Sequence, residues 1–242
     1  MSVYDVNNNN VDKCELITHK DTQVDDDILQ SFKRVEIEEA TLLGAPLFSG
    51  SVLDSTWDDR CADLARACDR LSSLRAQDAL ILLRSSFSAP RVMHLLRCSP
   101  STDHPALSKF DDILKVSIQR ITNCDFSDLQ WIQASLPERD GGIGIRRVAS
   151  LALPAFLVSA ASTLSLQADI LSSCTPSDNN FFQSCLLSWS SLFADLPEVL
   201  PSKQRFWDRP GVLAEKALVE SSFNSSYSRA SFLAPCAEHS GD

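Results

Sequence analysis

The apolar residues that follow Gly50 constrain the fold most. From Trp57 onward they recur at steps of three and four, a spacing that places them on one face of an α-helix. A second segment shows the same spacing and begins at Pro105, a residue type that favours the first turn of a helix. The two apolar stripes are Trp57, Cys61, Leu64, Cys68, Leu71 and Leu74, and Leu107, Phe110, Leu114, Ile118 and Ile121.

The chain before Gly50 has a different pattern. Residues 13–19 and 32–40 alternate apolar and polar side chains, which is typical of short strands. Residues 41–50 contain Gly and Pro at positions that predict a hairpin or bend. Residues 1–12 are polar and Asn-rich, and we expect them to be disordered. The predicted fold class is therefore mainly α with a small N-terminal β element, an α+β protein.

Local signals predict where individual elements begin and end. Ser55 or Thr56 is expected to cap the first long helix. Residues 146–166 form an apolar run rich in small residues, which predicts a buried helix that Pro154 starts or bends. Residues 196–210 contain several Pro and are predicted to be a linker between helices of the C-terminal part.

Charge is distributed unevenly along the chain. The net charge is −10, which argues against nucleic-acid binding by the whole surface. Residues 60–150 nevertheless contain 13 Lys and Arg against 10 Asp and Glu. This segment either presents a local phosphate-binding face or is a solvated helical surface.

Neither a metal site nor a membrane segment is predicted. The 8 Cys include no CxxC pair, and the CxxH spacing of Cys236 and His239 has no second pair nearby. The acidic run Asp25–Asp27 is interpreted as a solvated turn rather than a cation site. The chain has no uninterrupted apolar run of about 18 residues and does not begin with a signal peptide, so we expect an intracellular protein.

Three of the 7 Gly lie close together at Gly141, Gly142 and Gly144. A phosphate-binding loop is one interpretation, but the Lys and Ser/Thr of a P-loop are missing. The alternative is a structural turn in which Gly141 and Gly142 take positive φ angles and Gly144 allows a close approach. Such a turn would determine where Arg146 and Arg147 point.

Several segments, taken in order, resemble one family. They are "KCELI", "LLGAPL", "ALILLRSSFSAPRVMHLLRCSP" and "ASLPERDGGIGIRRVASLALPAFLVSAA". Together they resemble the end of the palm, the thumb and the following linker of a non-LTR (LINE-type) retrotransposon reverse transcriptase. The resemblance extends over residues 13–242.

The resemblance implies a division of the chain and a set of functional residues. Residues 13–52 would be a remnant of the palm, residues 53–165 a helical thumb-like bundle, and residues 166–242 a helical linker or tail. The primer-grip position falls on Leu43, Gly44 and Ala45, and the expected nucleic-acid contacts are Arg84, Arg91, Arg97, Arg146 and Arg147.

The polymerase chemistry of that family has no counterpart here. The family carries an aromatic-x-Asp-Asp turn that holds catalytic Mg²⁺, whereas this chain has only Tyr4-Asp5-Val6-Asn7 before the resemblance begins. No catalytic residue and no cofactor are therefore assigned, since Mg²⁺ would belong to the missing half.

These observations predict an inactive fragment of a reverse transcriptase whose thumb binds an RNA or DNA template–primer duplex. Two alternatives remain at this point. One is a helical protein–protein interaction module that uses the apolar C-terminal tail, and the other is a non-functional remnant of a mobile element.

Overall fold

The protein is described by a computed structural model and is mainly helical with short strands near the N-terminus, as predicted. The described residues are 14–18, 27–170, 180–193 and 195–234. Predictions for residues 1–12, for the side chains of Asp25–Asp27, and for Cys236 and His239 lie outside this range.

The β element consists of two separate strand pairs. Strand β1 (Glu15–Ile17) pairs in parallel with β2 (Lys33–Val35), and the short helix α1 (Asp27–Gln30) precedes β2 in the chain. Strand β3 (Thr41–Leu42) pairs antiparallel with β4 (Ala45–Pro46). The predicted hairpin is therefore confirmed.

The predicted second strand is shorter than its alternating pattern suggested. It occupies only the start of residues 32–40, because a 3₁₀ turn forms over Ile37–Glu39. The chain then enters the hairpin, which closes with a hydrogen bond from the Leu47 amide to the Ala40 carbonyl (2.9 Å).

Helices make up most of the remaining chain. A π-helical turn, Leu83–Phe87, separates the third helix from the fourth, close to the predicted break at Pro90. The helices are α2 (Ser51–Leu71), α3 (Ala76–Leu82), α4 (Ala89–Cys98), α5 (Pro105–Thr122), α6 (Asp128–Ser135), α7 (Val148–Ile170), α8 (Asn180–Leu192), α9 (Gln204–Ser221) and α10 (Ser226–Leu233).

The predicted cap of the first long helix is wrong by about one turn. Helix α2 begins at Ser51, and its N-cap is Gly50, which provides no side-chain hydrogen bond. The Thr56 hydroxyl instead donates to the Val52 carbonyl inside the helix (2.7 Å). The apolar contacts of Leu53 in the core account for the earlier start, since that residue lies on the buried face.

The predicted linker over residues 196–210 is also wrong in part. Helix α9 already begins at Gln204 and contains Pro210. Proline removes one helical hydrogen bond and is normally excluded from a helix interior. Trp207 and Val212 are both fully packed into the protein, and their burial outweighs the loss of that bond.

The larger core lies between α2, α4, α5 and the start of α7. Its centre is Trp57, which packs edge-to-face on Phe110 and donates from Nε1 to Ser101 Oγ (3.1 Å). The predicted apolar stripes are buried or packed against this core, apart from Leu74. Leu74 is exposed because α2 ends at Leu71.

A second core lies between α7, α8 and α9. Trp189 donates from Nε1 to the Trp207 carbonyl (2.9 Å), and the two rings are 5.1 Å apart at their centroids. Helix α7 contributes to both cores, through Leu151 to the first and Leu157 to the second. The predicted division at residue 165 therefore falls inside a continuous helix.

Helix α7 also bears on the expectation that no segment spans a membrane. Among the described residues it is the one helix long and apolar enough to cross a membrane by length and composition. Its first half is buried between the two cores, from Val148 to Val158. The core helix of a folded domain meets the same criteria, so length and composition do not identify α7 as a membrane span.

Candidate nucleic-acid interface

The residues at the primer-grip position form the tip of the β3–β4 hairpin. Leu43 and Gly44 both have positive φ angles (51° and 77°), as a two-residue type I′ hairpin turn requires. Leu43 is 86% exposed, whereas Ala45 is fully buried. The strand after the turn packs against α2 and α4. The hairpin thus presents two apolar side chains, Leu42 and Leu43, to solvent beside these two helices.

The glycine segment is a turn, but two of its glycines have exchanged their predicted roles. Gly141 and Gly144 have positive φ angles (88° and 77°), whereas Gly142 does not. Gly142 is the position of close approach, since a Cβ there would lie 2.0 Å from the Leu136 carbonyl oxygen. That carbonyl accepts a hydrogen bond from the Gly144 amide (3.0 Å).

This turn directs Arg146 and Arg147 toward α9 rather than toward solvent. Arg146 makes a bidentate ion pair with Asp208, with N–O distances of 2.7 and 2.9 Å. Arg147 pairs with Glu215. The two arginine side chains are only 19% and 23% exposed. Both guanidinium groups are therefore occupied by carboxylates of the same protein.

A buried carboxylate fixes the start of α7 next to these arginines. Asp111, from α5, accepts hydrogen bonds from the backbone amides of Val148 (2.7 Å) and Ala149 (3.1 Å). These are free donors of the first helical turn, which a carboxylate stabilises. Burial nevertheless raises the pKa of Asp111 to about 6, against the opposing effects of the two amides and Arg147.

A second buried carboxylate, Asp140, holds the glycine turn to α9. It is 2% exposed and accepts from Arg209 Nη1 at 2.7 and 2.8 Å. Lys216 Nζ lies 3.8 Å away and Arg139 Nε 3.4 Å away. Burial opposes its ionisation, but these three cations outweigh burial and hold the pKa of Asp140 below its ordinary value.

Sequence reasoning missed Asp140, and no local pattern identifies it. Its partner Arg209 lies 69 residues further along the chain. Only the "ERD" before the glycines places opposite charges together, and such a cluster is usually exposed.

The other predicted contact arginines are at the surface. Arg84 pairs with Glu138 of the turn before the glycines. Arg97 donates to Gln204 Oε1 of α9 (2.9 Å). Each therefore makes one exposed polar contact within the protein, and the five predicted arginines do not converge on one point.

Arg91 lies apart from the other four, in a shallow groove of about 170 Å³ between α2 and α4. Arg66 and Arg70 of α2 line the same groove, and Phe87 forms part of its wall. Arg66 pairs with Asp63 at the rim. Arg70 and Arg91 have no ion pair among the described residues, so their charges are available to an external anion.

Three arginines and one aspartate thus give this groove a net positive charge. An exposed guanidinium donates to two oxygens at once and suits a phosphate diester.

Within the described part of the chain, no three His, Cys, Asp or Glu side chains converge on a point that could hold a metal ion.

Comparisons with known proteins give no family for this chain. No protein-family model matches it, and searches of curated proteins and of solved structures found no match.

Proposed function

We propose that this chain is a palm-and-thumb fragment of a LINE-type retrotransposon reverse transcriptase that binds template–primer duplex and does not polymerise. The observation that carries the proposal is the groove of Arg66, Arg70 and Arg91, where Arg70 and Arg91 have no ion pair with any described residue. The ordered resemblance of the sequence segments supports the same assignment. Such a protein acts inside the cell, and both cytoplasm and nucleus fit the proposal.

The expected mode of binding is contact with phosphates and carries little sequence information. Arg70 and Arg91 would each contact a backbone phosphate, and the exposed hairpin tip at Leu43 would lie near the duplex because β4 packs on the same two helices. Arg146 and Arg147 are reassigned by their ion pairs to holding α7 against α9.

The test is binding of a fluorescein-labelled RNA–DNA template–primer, followed by anisotropy over a range of salt concentrations. We expect weak, salt-sensitive binding. The double variant Arg70→Glu/Arg91→Glu should reduce the slope of log K against log salt by about 2, one unit for each lost phosphate contact. Arg75→Glu is the matched control, because Arg75 is also exposed and lies outside the groove.

Equal binding by the double variant and the wild type would overturn the assignment of the groove. Primer extension by the purified chain with Mg²⁺ or Mn²⁺ would overturn the claim that it does not polymerise.

A second candidate function, a protein–protein interaction module, is favoured by a different observation. Large apolar side chains are exposed on the C-terminal helices α7, α8 and α9. Soluble proteins that expose contiguous apolar surface often use it to bind a partner. The members of this set are Leu164, Leu166, Ile170, Leu187, Leu192, Phe206, Leu213 and Leu218.

A further inference from the structure

The protein has a second arginine-lined groove. Its lining residues lie between positions 139 and 213, whereas those of the first groove lie between positions 63 and 91. It measures about 680 Å³ and lies along α9. Phe206, Pro210 and Leu213 form its apolar wall, at steps of four and three residues that place them in one row along the helix. Trp189 of α8 adds a ring that stacks with Phe206 at 5.9 Å.

Arginine side chains accompany this apolar row. Arg205 and Arg209 come from α9, and Arg139 comes from the turn before the glycines. Asp140 is the carboxylate that neutralises Arg209, and it also faces Arg139 and Lys216. Arg205 has no ion pair among the described residues. The groove therefore combines an apolar wall with an excess of positive charge.

We propose that this groove, named the α9 groove, binds an amphipathic helical segment of another protein. The segment has apolar residues at steps of three and four and carries Asp or Glu on the flank that faces the arginines. This proposal gives a chemistry to the second candidate function and is independent of nucleic-acid binding, because the α9 groove shares no residue with that of Arg66, Arg70 and Arg91.

The shape of the apolar row favours a helix over a nucleic acid. A helix docks in a groove through side chains at steps of three and four, which match the row of Phe206, Pro210 and Leu213. Single-stranded nucleic acid needs exposed aromatic faces for its bases. Pro210 and Leu213 offer no such face, Trp189 is almost fully buried, and Phe206, which is 40% exposed, is the one partly exposed ring in the described lining. Charge complementarity then selects an acidic flank, because Arg205 would lie beside it.

The test uses a fluorescein-labelled, stapled helical peptide with leucines at helical spacing and glutamates on one flank. We expect saturable binding to the full chain. Arg205→Glu should weaken it about tenfold or more, because it places like charges together. Leu213→Ser should weaken it about fivefold to tenfold through lost apolar contact.

Matched control variants separate this effect from general changes in charge or hydrophobicity. Leu74→Ser is the control for Leu213→Ser, because the two leucines are 47% and 48% exposed and Leu74 does not line the groove. Arg75→Glu is the control for Arg205→Glu. Both controls should bind the peptide as the wild type does.

Three results would overturn the proposal. The first is no binding of the glutamate peptide, or equal binding when its glutamates are replaced by glutamine. The second is unchanged binding by Arg205→Glu and Leu213→Ser. The third is binding of an oligo-uridine strand or of anionic phosphatidylserine vesicles that Arg205→Glu abolishes, which would assign the groove to nucleic acid or to a lipid surface. Template–primer binding tests the first groove separately.

Discussion

The two largest cores of the molecule differ in the contacts that surround them. The larger core, centred on Trp57, is built from apolar stripes of α2, α4 and α5 that recur at helical spacing. The second core, centred on Trp189, includes Trp207 of α9, and ion pairs join that helix to the turn region. These ion pairs connect residues 62, 68 and 69 positions apart in the chain. Helical periodicity thus accounts for the larger core, whereas the attachment of α9 also uses specific pairs that periodicity does not contain.

The largest expected effects come from removing the tryptophan at the centre of each core. Trp57→Ala and Trp189→Ala should each lower the free energy of unfolding by about 3 to 5 kcal/mol, because each leaves a large cavity. Both should shift one common transition, since α7 packs in both cores. Denaturation followed by far-UV circular dichroism and by tryptophan fluorescence tests this. Two transitions, with each variant shifting only one, would show that the cores unfold independently.

Asp111 supports the larger core, and its effect depends on pH. Its pKa is about 6 in the folded protein and lies above the ordinary value of 3.8, so between these values the folded state holds a proton that the unfolded chain releases. Stability therefore falls as the pH rises from about 4 to about 6, by about 3 kcal/mol from this group.

The variant Asp111→Asn should remove that part of the pH dependence in urea titrations at several pH values. Glu215, whose pKa is also raised by burial, should keep a residual slope of the same sign. Asp125→Asn is the matched control, because Asp125 is exposed, whereas the charge of the neighbouring Asp112 itself raises the pKa of Asp111. If the free energy of unfolding of Asp111→Asn depends on pH as steeply as that of the wild type, Asp111 is not the group responsible.

Asp140 holds the glycine turn to α9, and its effect on stability has the opposite pH dependence to that of Asp111. Its pKa lies below 3.8, so its contribution is present above that value and is lost as the pH falls through the folded pKa. Asp140→Asn leaves Arg209 and Lys216 without a counter-charge, and we expect a loss of about 2 kcal/mol at pH 7, reduced by the partial exposure of Arg209. Thermal denaturation at pH 7 and pH 3 should show that the difference in stability between the wild type and Asp140→Asn is smaller at pH 3.

The contrast between the cores explains what could be predicted from the sequence. The stripes from Trp57 to Leu71 and from Leu107 to Ile118 were predicted correctly, because the contacts of an amphipathic face follow from local spacing. The hairpin at Leu43 and Gly44 was predicted because turn chemistry is also local.

The arginine site could not be predicted in the same way. Whether an arginine such as Arg146 or Arg91 has a carboxylate partner depends on a residue that the fold brings from far along the chain. Arg66 and Arg70 lie on the polar face of α2 and became candidates only once α4 was seen beside it. The start of helix α9 was predicted too late, because Pro210 is a local signal for the end of a linker. Burial of Trp207 overrides that signal, and the helix already begins at Gln204.

The smallest expected effect concerns an exposed link between α4 and α9. Arg97→Ala removes its hydrogen bond to Gln204, and solvent can satisfy both groups. We expect a change within about 0.5 kcal/mol in the free energy of unfolding, which is typical of a surface substitution. Urea denaturation compared with Asp140→Asn tests it. A loss as large as that of Asp140→Asn would mean that surface contacts also hold the two cores together.

The two halves of α7 have different environments, and backbone amide hydrogen exchange should distinguish them. Amides near Leu151 and Leu157 lie between the cores, so they exchange with solvent deuterium only when the whole protein unfolds. Near Leu166 and Ile170 the described residues leave the helix exposed. The amides there should exchange many times faster, through fraying from the C-terminal end. A partner that binds the exposed half would slow those amides without changing the others, so the protection profile of this one helix would report on its occupancy.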